Sequence, residues 1–374
     1  MKAQTTYKDT DIVDEEDISS GEIIQEPFSP SDISISTPPT NMGDLIDMIE
    51  HGRINFGTDY QREENLWTPG QQSRLIESIL LGLRLPAFYF EVVEKRKWNI
   101  IDGLQRCCAI RNFCVDQTLS LTELEFLNDK FEGKKYSDFT FDIKSDVRML
   151  PITVNLLGNG TPDKVKYILF KRLNTGGIEL TPQEIRNAVY SGIAIDTISK
   201  MANDDAFKDA TGYKIPTKRK QDMDFVSRFV AFYITDYKKY QPDLERFINN
   251  AMEIIKKGEL SSYDINKMEN SFHRSMLLCK RVFGDMAFRK QTAPQQAKRP
   301  LNKAIFEVMS VLFSKLTDKE SENIEIHRKE FIEEFWNTIK ENSTFSNSFS
   351  EGTGMSNSVK NRFSITENIM NKYK

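Results

Sequence analysis

Apolar residues recur along the chain with two periods, and the place where one gives way to the other is the first clue to its organisation. Leu45, Met48 and Ile49 share one face of a helix that begins after Asn41, and Gly52 suits the left-handed position past its end. Thr68-Pro69-Gly70-Gln71 predicts a second start, with Thr as N-cap, Pro at the first helical position and Gln reaching back. That helix turns Leu75, Ile76 and Ile79 inward and runs to Gly82. Ala87 to Val93 reads as a buried strand, Lys95-Arg96-Lys97 as a charged turn and Trp98 to Ile101 as the return strand. The return strand ends in Asp102-Gly103-Leu104-Gln105-Arg106, and a helix carries on through Ile110 and Phe113. Pro151 to Leu157 predicts another buried strand. Thr161-Pro162 and Thr181-Pro182 predict two more helix starts, the second completed by Glu184 as a capping box.

From about Asp222 the helical period stands alone. Phe225, Phe229 and Phe232 mark one face, and Leu244, Phe247, Ile248 and Met252 another. Phe272, Met276 and Cys279, then Ile305, Val308 and Leu312, then Phe331, Phe335 and Ile339 continue the theme as the core of a bundle. Asn342 to Asn357 reads as a Ser/Asn/Gly loop before a last short helix. At the other end, residues 1–38 are polar and acidic, with the run Asp14-Glu15-Glu16-Asp17. Such a segment buries too little apolar surface to offset its ordering entropy and is expected to be disordered. The expectation is therefore an acidic tail (1–38), an α+β domain (39–200) and an all-α helical domain (201–374).

Composition narrows the function classes. Hydrophobic residues make up 39% and charged residues 28% of 374, an ordinary globular balance. The most apolar region, around Ile79 to Phe90, is broken by Arg84 and Pro86, so no membrane span is expected, and without a recognisable targeting segment the expectation is a cytoplasmic protein. Four cysteines (Cys107, Cys108, Cys114, Cys279) without a Cys-x-x-Cys unit, and three scattered histidines, do not suggest a zinc site or a disulfide scaffold. A net charge of −4 argues against coating nucleic acid by charge alone. Two local basic clusters remain, Lys214, Lys218, Arg219 and Lys220, and Arg289, Lys290, Lys298, Arg299 and Lys303; solvated surface is their simpler reading.

Candidate chemistry gathers at three junctions, Tyr60-Gln61-Arg62, Asp102 to Arg106, and Asn174-Thr175-Gly176-Gly177. Open α/β sheets place ligands where strands end and helices begin. Gly103 permits a sharp turn and close approach of a ligand, and the amides after it favour an anion. Arg106 and Arg62 offer planar forks for phosphate oxygens. Asp102 would repel a bare phosphate, so it makes sense as a ligand of Mg²⁺ or water, or as an orienter of arginine. These residues alone suggest a polar, anion-binding cleft.

Three segments also resemble one known family. Tyr60-Gln61-Arg62 followed by Trp67 is similar to its Gln-Arg…Trp motif, and Leu75 to Gly82 with Leu85-Pro86 to the helix and Pro turn that follow. Asp102-Gly103-Leu104-Gln105-Arg106 resembles its Asp-Gly-Gln-Gln-Arg hallmark, and Phe170 to Gly177 with Leu180 and Glu184 its Asn-Thr-Gly-Gly…Leu…Glu segment. On these motifs, residues 41–192 resemble the GmrSD restriction endonuclease N-terminal domain (DUF262), a family similar in core fold to ParB/sulfiredoxin-like domains. The resemblance implies a nucleoside triphosphate-binding module of a prokaryotic anti-phage or restriction-type system, with hydrolysis open and Mg²⁺ as the accompanying cofactor. It implies a site in which Gln61, Arg62, Gly103, Arg106, Asn174 and Thr175 hold nucleotide and phosphate, while Asp102, Gln105 and Arg106 serve catalysis and Asp102 the metal. Leu104 departs from the hallmark and removes one amide. Nothing resembles a His-Asn-His nuclease motif, so a separate nuclease or methyltransferase subunit is the expected partner. The alternatives are a non-catalytic DNA-binding adaptor, with the basic clusters as its DNA face, and a protein-interaction scaffold.

Overall fold

A computed structural model describes residues 13–14, 34–56, 67–94, 97–158, 160–173, 180–293 and 297–374. The chain divides between residues 179 and 180, with Val13 and Asp14 belonging to the second unit.

The first unit is α+β. Its elements are β1 (Ile35–Ser36), β2 (Thr40–Asn41), α1 (Met42–Glu50), β3 (Ile54–Asn55), α2 (Pro69–Leu80), β4 (Phe88–Glu94) and β5 (Lys97–Asp102). After these come α3 (Leu104–Ile110), α4 (Asn128–Phe131), α5 (Phe141–Met149), β6 (Pro151–Ile152), β7 (Val154–Leu157) and α6 (Asp163–Leu173). The caps explain where the helices begin. Asp44 N donates to Asn41 Oδ1 at 2.9 Å while Asn41 N donates to Asp44 Oδ2 at 3.1 Å, and Thr68 and Gln71 make the same reciprocal pair ahead of α2.

One mixed sheet runs β1-β7-β4-β5-β3. β4 and β5 pair antiparallel, as the strand–turn–strand pattern predicts, while β4–β7 and β5–β3 are parallel. Phe88 and Phe90 of β4 are fully buried and share one core with Ile76 and Ile79 of α2, Leu45 and Ile46 of α1, and Ile110 and Phe113. Pro151 to Leu157 is two strands rather than one. Pro151 and Ile152 pair with β2, Thr153 breaks the run, and Val154 onward lies beside β4. Strand pairing also reaches into the segment read as a tail, since Ile35 and Ser36 pair with Leu157 and Leu156. Thr161, read as an N-cap, instead buries a hydroxyl with no hydrogen-bond partner among the described residues.

The second unit is helical: α7 (Pro182–Val189), α8 (Ile193–Ala202), α9 (Asp205–Ala210), α10 (Gln221–Ile234), α11 (Leu244–Lys256), α12 (Ser262–Phe283), α13 (Lys303–Ser314), α14 (Asp318–Ile326), α15 (Arg328–Glu341), α16 (Ser343–Asn347) and α17 (Ser356–Met370). The helices from Leu180 to residue 200 belong to this unit. The aromatic stripes are core, with Phe229 4.8 Å from Phe272 and Phe225 5.1 Å from Phe306, ring centre to ring centre. The stretch 342–357 is not simply a loop, because Asn342 caps α16 and the chain then enters α17, which is 15 residues long. All four cysteines are buried free thiols, and burial pushes Cys114 up to about 12, which suits packing and not nucleophilic chemistry. Among the described residues, no helix is long and apolar enough to cross a membrane.

Candidate functional site

β5 delivers Asp102 to the end of its strand opposite Tyr89, and the chain turns at Gly103 into α3. Gly103 has φ 102° and ψ 15°. A Cβ there would lie 2.7 Å from Phe88 Cδ1 and 3.3 Å from Arg106 Nη2, so both backbone conformation and crowding require glycine.

Arg106 lies one turn into α3 and points back beneath the turn. It donates through Nη1 to Pro86 O, and through Nη2 to Ala87 O at 3.2 Å and Asp102 Oδ2 at 2.9 Å. Its Cζ sits 4.4 Å over the Phe88 ring. The motif suggests a fork reaching for phosphate; the described geometry is a clamp that ties the turn to the strand before it. The physical reason is that the carbonyls of Pro86 and Ala87 lie beside an aromatic face, and a delocalised cation satisfies all three together.

Asp102 keeps an exposed edge, its side chain being 31% accessible against 11% for Arg106. Burial raises the Asp102 carboxyl above its ordinary value, opposed by Arg106 and by the Gly103 N–H. Gln105 Oε1 accepts from Trp67 N at 3.3 Å, and Gln72 donates to Trp67 O at 3.0 Å while accepting from Asn112 at 2.9 Å. The tryptophan that closes the first motif therefore abuts the second. Gln61, Arg62, Asn174 and Thr175 lie outside the described residues.

Among the described residues, no group of three or more His, Cys, Asp or Glu side chains is arranged to hold a metal. Asp102 is a single carboxylate with Arg106 on one oxygen. That donor set fits a Mg²⁺ that arrives with phosphate oxygens and keeps water ligands, rather than one caged by protein.

Sequence reasoning missed two charged constellations. Glu77, buried on α2, accepts from Glu125 N, Phe126 N and Leu127 N at 3.1, 2.7 and 2.8 Å and organises the loop before α4. In the helical unit, Arg186, Arg228 and Lys303 surround Asp224. The available signal was charge on an apolar stripe, as with Arg228 between Phe225 and Phe229. The basic clusters, by contrast, neutralise much of their charge internally: Arg219 pairs with Glu184 at 3.1 Å, Lys298 with Asp285 at 2.8 Å, and Lys303 with Asp224 at 2.8 Å.

No curated protein and no solved structure matches the chain. Residues 42–191 match the family described as GmrSD restriction endonuclease, N-terminal domain. The matched span begins with α1, contains the whole Asp102 to Arg106 turn and ends just past α7. Through residues 42–191, the chain belongs to the family of GmrSD restriction endonuclease N-terminal domains.

Proposed function

We propose that the chain is the nucleotide-binding module of a restriction-type anti-phage system, with the turn between β5 and α3 as its nucleotide site. The observation that carries this reading is Asp102, a carboxylate held in place by Arg106 and still partly open to solvent, inside the segment that matches the family. In this reading Asp102 meets the Mg²⁺ that accompanies a nucleoside triphosphate, and the metal supplies neutralisation of phosphate charge. Arg106 positions Asp102, and Gly103, lacking a side chain, leaves the backbone accessible to the ligand. Arg62, Gln61, Asn174 and Thr175 are assigned to the phosphates and sugar. Gln105 Oε1 is occupied by Trp67 N, which leaves Gln61 as the amide assigned to an attacking water if turnover occurs. A separate nuclease or methyltransferase is the partner that such a module serves.

The test is equilibrium binding of fluorescently labelled ATP and GTP, with and without Mg²⁺, to the wild type and to Asp102→Asn. Binding should require Mg²⁺ and weaken roughly tenfold in the variant, the scale of losing one charge-assisted contact. Wild-type protein that binds neither nucleotide in either condition removes the proposal. DNA binding that falls steeply with salt and survives Asp102→Asn would favour the adaptor reading instead.

A further inference from the structure

The helical unit contains a cleft of about 470 Å³, within the range of small-molecule sites. Its charged side is formed by Arg186, Arg219, Arg228 and Lys303, and Pro182, Leu244 and Ile248 give it an apolar wall. Arg186 and Arg228 are almost completely buried, at 1% and 2% exposure. Arg186 is fixed by Asn249 at 2.9 Å, Gln183 at 3.0 Å and Asp224 at 3.3 Å, and Lys303 reaches the other Asp224 oxygen at 2.8 Å. Burial opposes ionisation of Asp224, but Lys303, Arg228 and Arg186 together hold its carboxyl well below the usual range. One carboxylate thus answers to three cations. The second acid beside Arg228 is Glu307, which is itself shared with Arg362. Positive charge gathered at the wall of a partly enclosed hollow favours an anionic occupant, because desolvated cations gain most from a counter-charge.

Two further features lie on the rim. Arg219 and Lys220 both adopt left-handed backbone, with φ 58° and 57°, a conformation that side-chain-bearing residues rarely take. Arg219 is held there by Thr181, whose hydroxyl donates to its carbonyl at 3.2 Å, and by its ion pair with Glu184. The chain's own N-terminal segment also brings an acid to the cleft. Asp14 lines it, donating its N–H to Leu301 O at 2.9 Å and accepting from Asn302 Nδ2 at 3.1 Å. Glu245 is the other acid on the wall.

We propose that this cleft binds a small phosphate-bearing ligand, met by Lys303 and Arg219, and that Asp14 competes with that ligand for the cationic rim. The site is separate from the turn at Asp102, so it stands or falls independently of the nucleotide reading above.

The experiment is calorimetric titration of inorganic pyrophosphate into the full chain at low salt, for the wild type, Lys303→Gln and Asp14→Asn, with circular dichroism to verify folding. The wild type should bind, Lys303→Gln should weaken binding about tenfold, and Asp14→Asn should tighten it several-fold. If Lys303→Gln does not fold, Asp14→Asn still decides, since it leaves the helical core untouched. Absence of binding in both the wild type and Asp14→Asn overturns the proposal, as does an affinity that Asp14→Asn leaves unchanged or that a folded Lys303→Gln retains in full.

Discussion

Replacing Gly103 by alanine isolates the physics of the Asp102 turn. The backbone there sits at φ 102°, and an L-residue in left-handed territory costs about 1–2 kcal/mol. The added methyl would also lie 2.7 Å from Phe88 Cδ1, whereas comfortable carbon–carbon contact is about 3.5–4.0 Å. Phe88 cannot easily yield, being fully buried and covered by the Arg106 guanidinium. Overpacking of that kind costs roughly 1–3 kcal/mol. The total expected is about 2–5 kcal/mol, a large part of a typical domain stability of about 5–15 kcal/mol. Gly82 supplies the control, because it has φ 70° and a methyl added there would meet nothing within 4 Å, so Gly82→Ala carries only the backbone cost. Urea unfolding followed by tryptophan fluorescence suits the comparison, since Trp67 and Trp98 lie in the α+β unit and Trp336 in the helical one. Gly103→Ala should lose about 1–3 kcal/mol more than Gly82→Ala, this being the steric share. Equal losses would show that Phe88 relaxes freely and that the turn is not clamped as described.

Glu77→Gln should destabilise the α+β unit by about 1–3 kcal/mol, because three backbone donors lose a charged acceptor. Burial pushes the Glu77 carboxyl up, but those donors and Arg74 outweigh it, and the net shift is downward. The wild type's advantage over the variant should therefore be complete above the ordinary carboxylate pKa and fade as pH falls through the depressed folded value, which urea midpoints collected from neutral to acidic pH would show. Glu307→Gln should cost the helical unit about 3–5 kcal/mol, since Arg228 and Arg362 would be left buried without their shared carboxylate. A thermal melt showing a change below about 1 kcal/mol would refute that.

What was legible in the sequence was local. The capping boxes at Thr68 and Thr181 involve partners three residues away, so their spacing suffices to place helix starts, and alternation over Phe88 and Phe90 suffices for β4. Two-residue strands were not legible, because the pairing of Ile35 with Leu157 depends on a partner more than a hundred residues distant. The Glu77 cap and the Asp224 cluster failed to appear for the same reason. A charge on an apolar stripe announces that a buried partner must exist, and Arg228 and Arg362 both sit on such stripes, but the stripe does not say which residue the partner is.

Arg106 shows the limit of a motif most clearly, since a motif specifies a residue and not where its side chain points. Turning this guanidinium outward would break its bonds to Pro86, Ala87 and Asp102 and its stacking on Phe88. Hydrogen bonds to a charged group contribute about 1.5–3 kcal/mol each, so release would cost several kcal/mol before any phosphate contact was made. A ligand that pulled Arg106 outward would have to supply that difference, and would free the Asp102 carboxylate in doing so. A ligand that meets Asp102 directly incurs neither cost, because the exposed edge of the carboxylate is already presented. The same residues that resemble a phosphate fork therefore work better as a rigid mount for a single acid, which is why the decisive substitution at this turn is Asp102→Asn and not removal of the arginine.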